Sequence, residues 1–172
     1  MPELFPVFTK DEIQKMVAAV ARRISHDYQG RTLVLVGVLN GAFMFLADLA
    51  RELSIPAQID FIRVASYGAG STSSGKLTLT KDLELDIQNK DVLLIEDIVD
   101  TGLTLSCLID HLKSFGPLSV RACALLDKRE RRERAVPIDY ACQVVEKGFL
   151  VGYGLDYAED YRSLQEICHL KL

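Results

Sequence analysis

The sequence predicts an α/β fold: a mostly parallel, twisted sheet flanked by helices, with a small hood built from the C-terminal segment and part of the N-terminus. Three observations predict it. Apolar runs rich in valine and leucine, within Thr32–Leu39 and Asp91–Ile95, have the length and composition of strands buried on both faces. Stretches with apolar residues at helical spacing alternate with such runs, as in a parallel sheet covered by helices. In the tail the alternation loses its regularity. With 172 residues the chain fits a single domain, its core expected over about 10–126 and its hood over about 127–172 plus the first few residues.

Element by element, Thr9-Lys10-Asp11-Glu12 fits a capping box, and the periodic run Ile13–Tyr28, stopping at Gly30, reads as the first helix. Thr32–Leu39 is the first buried strand, Asn40-Gly41 a turn, Ala42–Leu53 a second helix and Ala57–Val64 another strand. Ser66–Gly75, made of glycine and small polar residues around Tyr67, is too poor in apolar surface to order itself. It reads either as an idle surface loop or as a lid over a site. Lys76–Glu84 is strand-like and Asp91–Ile95 is the clearest buried strand. A helix over Thr101–Phe115 ends at Gly116-Pro117, and Ser119–Leu126, Tyr140–Val145 and Phe149–Val151 read as further strands.

Composition narrows the function. A formal net charge of -4 argues against nonspecific binding to nucleic acid or to an acidic membrane surface. The four cysteines, Cys107, Cys123, Cys142 and Cys168, make no C-x-x-C pair, and three of them sit in apolar runs, the pattern of buried thiols in a reducing compartment. His26, His111 and His169 are scattered without zinc-ligand spacing. Neither a signal peptide nor a membrane-spanning run is visible, and a cytoplasmic location is the expectation.

The chemistry concentrates in Val92–Leu105. Four apolar residues lead into Glu96 and Asp97, then Ile98-Val99, then Asp100-Thr101-Gly102-Leu103-Thr104. Ligands of open parallel sheets bind outside the carboxyl ends of the strands, where two adjacent acids can meet two hydroxyls or a hydrated cation. Unpaired N–H groups at a helix start, with the hydroxyls of Thr101 and Thr104, make a phosphate cradle. Taken alone, Asp-Thr-Gly also fits an ordinary N-cap turn; the apolar strand and acid pair in front of it favour the site. A Walker A loop is absent.

This run resembles the PRPP-binding signature of type I phosphoribosyltransferases, and nearly the whole chain resembles the hypoxanthine-guanine branch of that family. The resemblance implies that Glu96 and Asp97 hold the ribose hydroxyls, and that Thr101, Gly102, Leu103 and Thr104 hold the 5-phosphate. Leu39-Asn40-Gly41 resembles the pyrophosphate loop, although many relatives carry Lys or Arg where Asn40 stands. Ser66 and Tyr67 resemble the start of the catalytic loop, and Arg162 a family arginine near the pyrophosphate. Lys128 matches the lysine that donates to the purine O6, Phe149 the stacking aromatic, and Leu150 and Asp156 the segment that reads the base edge. Arg129, Arg131, Arg132 and Arg134 are read as a solvated loop. The implied cofactor is Mg²⁺, near Asp156, Glu96 and Asp97, and the implied assembly a homodimer or homotetramer with no nucleic-acid or membrane partner.

The activity so implied joins hypoxanthine or guanine to the ribose 5-phosphate of PRPP, giving IMP or GMP and pyrophosphate. Asp100 faces N7 of the base as general base. The rivals are a regulator that binds PRPP without catalysis and a xanthine-preferring relative.

Overall fold

A computed structural model describes residues 1–65 and 78–172. The Ser66–Gly75 segment, with Ser66 and Tyr67, therefore lies outside the described residues. The chain opens with β1 (Glu3–Phe8), then α1 (Lys10–Asp27), which starts where the capping box places it: Thr9 Oγ1 accepts the N–H of Glu12 at 3.2 Å. Ile13, Val17, Val20, Ala21 and Ile24 form its buried stripe. The order continues β2 (Leu33–Leu39), α2 (Phe43–Glu52), β3 (Ala57–Val64), β4 (Leu79–Lys81), β5 (Asp91–Val99), α3 (Leu103–Lys113), β6 (Ser119–Lys128), β7 (Tyr140–Val145), β8 (Leu150–Val151) and β9 (Ile167–Lys171).

The large sheet has the order β4-β3-β2-β5-β6-β7; its strands run parallel except β4, which pairs antiparallel with β3. Alternate side chains of the central strands sort into two cores. Leu33, Leu35, Leu93 and Ile95 meet α1 and α2 through Ile13, Phe45, Leu46 and Leu49. Val34, Val36, Val92 and Leu94 meet α3 through Leu105, Leu108 and Leu112. Both faces are covered, which is why these strands read as unbroken apolar runs. No helix among the described residues is long and apolar enough to cross a membrane.

Several boundaries differ from the sequence reading. β5 runs through the acid pair to Val99, because its ladder with β6 continues at Glu96↔Ala124, Ile98↔Leu126 and Val99↔Asp127. β6 likewise reaches Lys128. α3 is shorter than Thr101–Phe115, since Gly102, at φ +86°, holds the chain out of the helix until Leu103. Of the strand expected over Lys76–Glu84, Leu79–Lys81 is extended, and Lys76 and Leu77 lie outside the described residues. Tyr140–Val145, expected with the hood, is instead an edge strand of the large sheet. β1 and β9 have no counterpart in the sequence reading; they join β8 in a small antiparallel sheet of order β1-β9-β8. Cys123 and Cys168 are buried, whereas Cys107 and Cys142 are half-buried.

The segment after β4 is held by a buried carboxylate. Asp60 accepts the N–H groups of Phe61, Glu84 and Leu85 at 2.8–2.9 Å and faces Lys81 Nζ at 3.5 Å. Burial alone would raise its pKa. The N–H groups of Leu85, Glu84 and Phe61, with the Lys81 charge, outweigh burial and hold it below the ordinary 3.8. Asp60→Ala is expected to cost about 2–3 kcal/mol in urea unfolding, since it strands buried donors. A carboxyl with a depressed folded pKa stabilises fully above its unfolded value and loses that contribution as pH falls through the folded one. The parent's urea midpoint should therefore fall more steeply than the variant's below about pH 4.

Candidate active site

β2, β5 and β6 are adjacent and parallel, so their carboxyl ends lie side by side. At the end of β5 the chain turns through Asp100, Thr101 and Gly102 into α3, and a cavity of about 130 Å³ opens there, lined by Glu96, Asp100, Thr101, Gly102 and Thr104 among others. The turn is organised locally by the Leu103 N–H bond to Thr101 Oγ1 at 3.3 Å; the Leu103 side chain points out to solvent. The N–H groups of the first turn of α3 carry partial positive charge at this end of the helix.

Glu96, 8% exposed, and Asp97 alternate to opposite sides of β5. Burial, with the charge of Asp97 beside it, pushes the Glu96 carboxyl well above the usual range. Burial pushes Asp97 up to about 6; Asp156 adds to the rise, while the Ile98 and Asp97 N–H groups and Arg162 oppose it. Asp97 Oδ1 accepts the Ile98 N–H at 2.7 Å. Its other oxygen lies against the Leu39-Asn40-Gly41 turn so closely that a Cβ on Gly41 would stand 1.9 Å from it, so a side chain here would have to displace the Asp97 carboxylate. The Leu39-Asn40 peptide in that turn is cis, and the Asn40 carbonyl accepts the Phe43 N–H at 3.2 Å.

Beside the end of β5 stands the end of β6. Lys128 is 7% exposed, with Nζ 4.0 Å from Glu130 Oε2, and the same oxygen accepts the Gly148 N–H at 3.4 Å. Phe149 follows. The residue is 49% exposed, and its ring stands at right angles to that of Tyr157, with centroids 5.7 Å apart. The Phe149 carbonyl accepts the Leu170 N–H at 2.8 Å, which makes Leu150↔His169 a non-hydrogen-bonded pair. The N–H and C=O of Leu150 therefore point outward from β8, an edge of the small sheet. Asp156 Oδ1 pairs with Arg162 Nη2 at 3.3 Å, and Arg162 Nη1 donates to the Gly154 carbonyl at 2.7 Å. Two buried polar atoms in this region have no hydrogen-bond partner, Asp100 Oδ1 and Arg162 Nε. Each is a group that a ligand could satisfy.

Thus Leu39, Asn40, Gly41, Glu96, Asp97, Asp100, Thr101, Gly102, Thr104, Lys128, Phe149, Leu150, Asp156 and Arg162 gather at one end of the sheet. A chain of contacts spans that end. The loop after β6 bonds to Asp100 on one side, and Glu130 links Lys128 to the residue before Phe149 on the other.

The reading of the arginine run as a solvated loop is corrected at Arg132, whose side chain is half-buried, while Arg129 and Arg131 are exposed as expected. Arg132 reaches the carbonyls of Asp100 at 2.9 Å, Val99 at 3.2 Å and Lys128 at 3.0 Å, and the buried Asp127 carboxylate at 2.5 Å. One planar guanidinium thus ties the Asp100 turn to Lys128. Arg129 pairs with the other Asp127 oxygen at 3.2 Å, and Arg131 stands 3.6 Å from Asp100 Oδ2. The Arg134 side chain is exposed, as expected, while its N–H and that of Glu133 bond to the Thr101 carbonyl. Nothing in the sequence separates Arg132 from its neighbours, because its partners come from another strand.

The carboxylates here form no closed cage: among the described residues no three His, Cys, Asp or Glu side chains are grouped to hold a metal by themselves. Crowded acids with raised pKa values, open to a ligand, suit a hydrated divalent cation that takes most of its oxygens from water and substrate.

A strand–acid-pair–turn–helix unit facing a small second sheet defines a class, and residues 9–158 match the phosphoribosyl transferase domain: the chain belongs to that family. Within it, the chain is 43% identical to the hypoxanthine-guanine phosphoribosyltransferase of Mycobacterium avium, over 96% of this chain and 87% of that protein. It is 44% identical to the hypoxanthine phosphoribosyltransferase of Salmonella typhimurium, over 89% of this chain and 87% of that one. Among solved structures, a hypoxanthine phosphoribosyltransferase from Staphylococcus aureus superposes with a TM-score of 0.92 at 41% identity, covering 96% of this chain and 90% of that one. A hypoxanthine-guanine phosphoribosyltransferase from Bacillus anthracis gives 0.94 at 36% identity over the full length of both.

Arg132→Met removes a partner of a buried carboxylate and should cost about 3 kcal/mol in urea unfolding, with faster amide exchange at Glu133 and Arg134, whose donors meet Thr101. An unchanged urea midpoint would show that Arg132 carries no such load.

Proposed function

We propose that the protein transfers the 5-phosphoribosyl group of PRPP to N9 of hypoxanthine or guanine, releasing pyrophosphate, as a purine-salvage enzyme. The observation that carries this reading is the meeting of the Glu96-Asp97 pair and the Asp100–Thr104 turn with Lys128 and the exposed Phe149. A sugar phosphate and a flat base fit side by side between them. Relatives named hypoxanthine-guanine or hypoxanthine phosphoribosyltransferase support it, and they leave the non-catalytic regulator without support.

In this reading Thr101, Gly102, Leu103 and Thr104 hold the 5-phosphate with backbone N–H groups and hydroxyls. Glu96 and Asp97 accept hydrogen bonds from the ribose hydroxyls, which offsets part of the cost of burying both acids. Phe149 stacks on the purine, a contact worth roughly 1–3 kcal/mol in nucleic-acid systems. The outward N–H and C=O of Leu150, with backbone near Asp156, read the base edge. Lys128 offers donors and no acceptor, so it selects a 6-oxo over a 6-amino group.

The ribose–pyrophosphate bond breaks as the N9–C1 bond forms, and positive charge develops on the ribose. Asp100 takes the proton at N7. Arg162 and the Leu39-Asn40-Gly41 backbone stabilise the departing pyrophosphate. Mg²⁺, when bound near Asp156, Glu96 and Asp97, supplies charge neutralisation to the diphosphate. Ser66 and Tyr67 belong to the segment assigned to closure over the reaction. The large sheet serves as the PRPP-binding core and the small sheet as the hood over the base. The setting proposed is the cytoplasm, and the assembly a homodimer or homotetramer.

Mixing the protein with PRPP, Mg²⁺ and hypoxanthine and following absorbance tests the reading directly; no turnover would end it. Asp100→Ala should lower kcat by about 100-fold or more while PRPP affinity holds, and equal kcat values would refute its role. Lys128→Ala should raise KM for both oxopurines about tenfold or more; an unchanged KM would take Lys128 out of base recognition.

A further inference from the structure

Tyr153 stands in a conformation that its residue type disfavours. Its φ is +52°, between Gly152 and Gly154, both at +100°. Glycine adopts such angles freely and tyrosine does not, so the surroundings must hold it there. They do so from three sides. The Tyr153 ring is buried in the core that α1 and α2 share. Its N–H bonds to the Leu164 carbonyl at 2.9 Å, and its hydroxyl donates to Asp48 Oδ2, on α2, at 2.5 Å. Burial and the Asp48 hydrogen bond raise the hydroxyl's pKa, so it remains a donor at neutral pH.

The next residue seats the turn. Gly154 lies so close to the Leu39-Asn40-Gly41 turn that a Cβ there would stand 2.3 Å from the Gly41 carbonyl oxygen. Arg162 holds Gly154 from the site side, through both its side chain and its carbonyl. Asp48 holds Tyr153 from behind, out of reach of the hollow: it lines a separate groove of about 580 Å³ with Asp11, Lys15 and Arg51. The turn is therefore pinned at both flanks, between Phe149-Leu150 and Asp156.

We propose that Tyr153 and Asp48 are a positioning pair for the transfer: their hydrogen bond fixes the base-holding segment 149–156 on the Leu39-Asn40-Gly41 turn, and so sets base and leaving pyrophosphate in line across the ribose carbon. The proposal rests on the function assigned above. Neither residue touches substrate; the effect reaches the reaction through the contact of Gly154 with Gly41. Misalignment of reacting groups depresses turnover far more than affinity.

Tyr153→Phe keeps the ring and removes the hydroxyl. It is expected to lower kcat about tenfold or more, with KM for PRPP within about threefold of the parent, because the 5-phosphate cradle on β5 and α3 is untouched. Asp48→Ala should do the same, whereas Asp48→Asn, which keeps an acceptor, should stay within about threefold of the parent. The double variant Tyr153→Phe/Asp48→Ala should be no worse than either single one. In the ligand-free protein, amide exchange at Ala42, Gly154 and Leu155 should quicken together in Tyr153→Phe while α3 is unaffected. A kcat for Tyr153→Phe within about twofold of the parent, or single losses that multiply in the double variant, would overturn the proposal. Should Tyr153→Phe fail to fold, Asp48→Ala carries the same comparison. A parent inactive with PRPP, Mg²⁺ and hypoxanthine would instead sink the assigned reaction, and unchanged exchange would then dispose of the clamp as well.

Discussion

Two carboxylates stand side by side at the end of a buried central strand of the sheet, and the remaining architecture is arranged around that burden. Desolvation disfavours the ionised forms of Glu96 and Asp97, and each charge opposes the other. Such a pair weakens a fold unless something outside the protein repays it. β5 can carry them because its ladder to β6 continues past them and its two faces are already committed to separate cores. The cost falls on the side chains and not on the backbone. The hollow they face is where compensation has to come from, in the form of hydroxyls, a hydrated cation or both.

Around the pair, side chains from distant parts of the chain act as braces. Arg132 binds the Asp100 turn to the end of β6 and is itself held by the buried Asp127. Arg162 braces Gly154 and pairs with Asp156. Tyr153 reaches through the core to Asp48. Two of these braces cross between elements, Arg132 from the loop after β6 to the end of β5 and Tyr153 from the tail to α2, while Arg162 holds the tail turn on itself. The small sheet also meets the large one through apolar contacts, with Leu150, Tyr153, Leu155 and Ile167 in the core shared with α1 and α2.

Much of the fold was legible in the sequence because its signals are local. The capping box at Thr9, the double-sided apolar runs of β2 and β5, and the bounds of β3 and β7 depend on the type and spacing of neighbouring residues. The misread ends have a common cause as well. Glu96, Asp97, Asp127 and Lys128 look like strand stops by composition, yet pairing with the neighbouring strand extends β5 and β6 through them. β1 and β9 escaped because each is made a strand by the other, across almost the whole length of the chain.

The same division holds for the site. The sequence alone determined that an acid pair precedes a strand-to-helix turn carrying two threonines and a glycine, since strand, acids and turn lie within fourteen consecutive residues, Val92–Leu105. It also supplied a lysine and a phenylalanine of the right chemistry in the tail. Only the tertiary structure decided that the Lys128 and Phe149 segments are linked through Glu130, that Arg132 is a half-buried brace while Arg134 is solvated, and that Asp48 belongs to Tyr153. Hydrogen bonds between side chains far apart in sequence have no periodicity to betray them. They exist only once the two sheets have come together, so no reading of neighbouring residues could have chosen among the candidates.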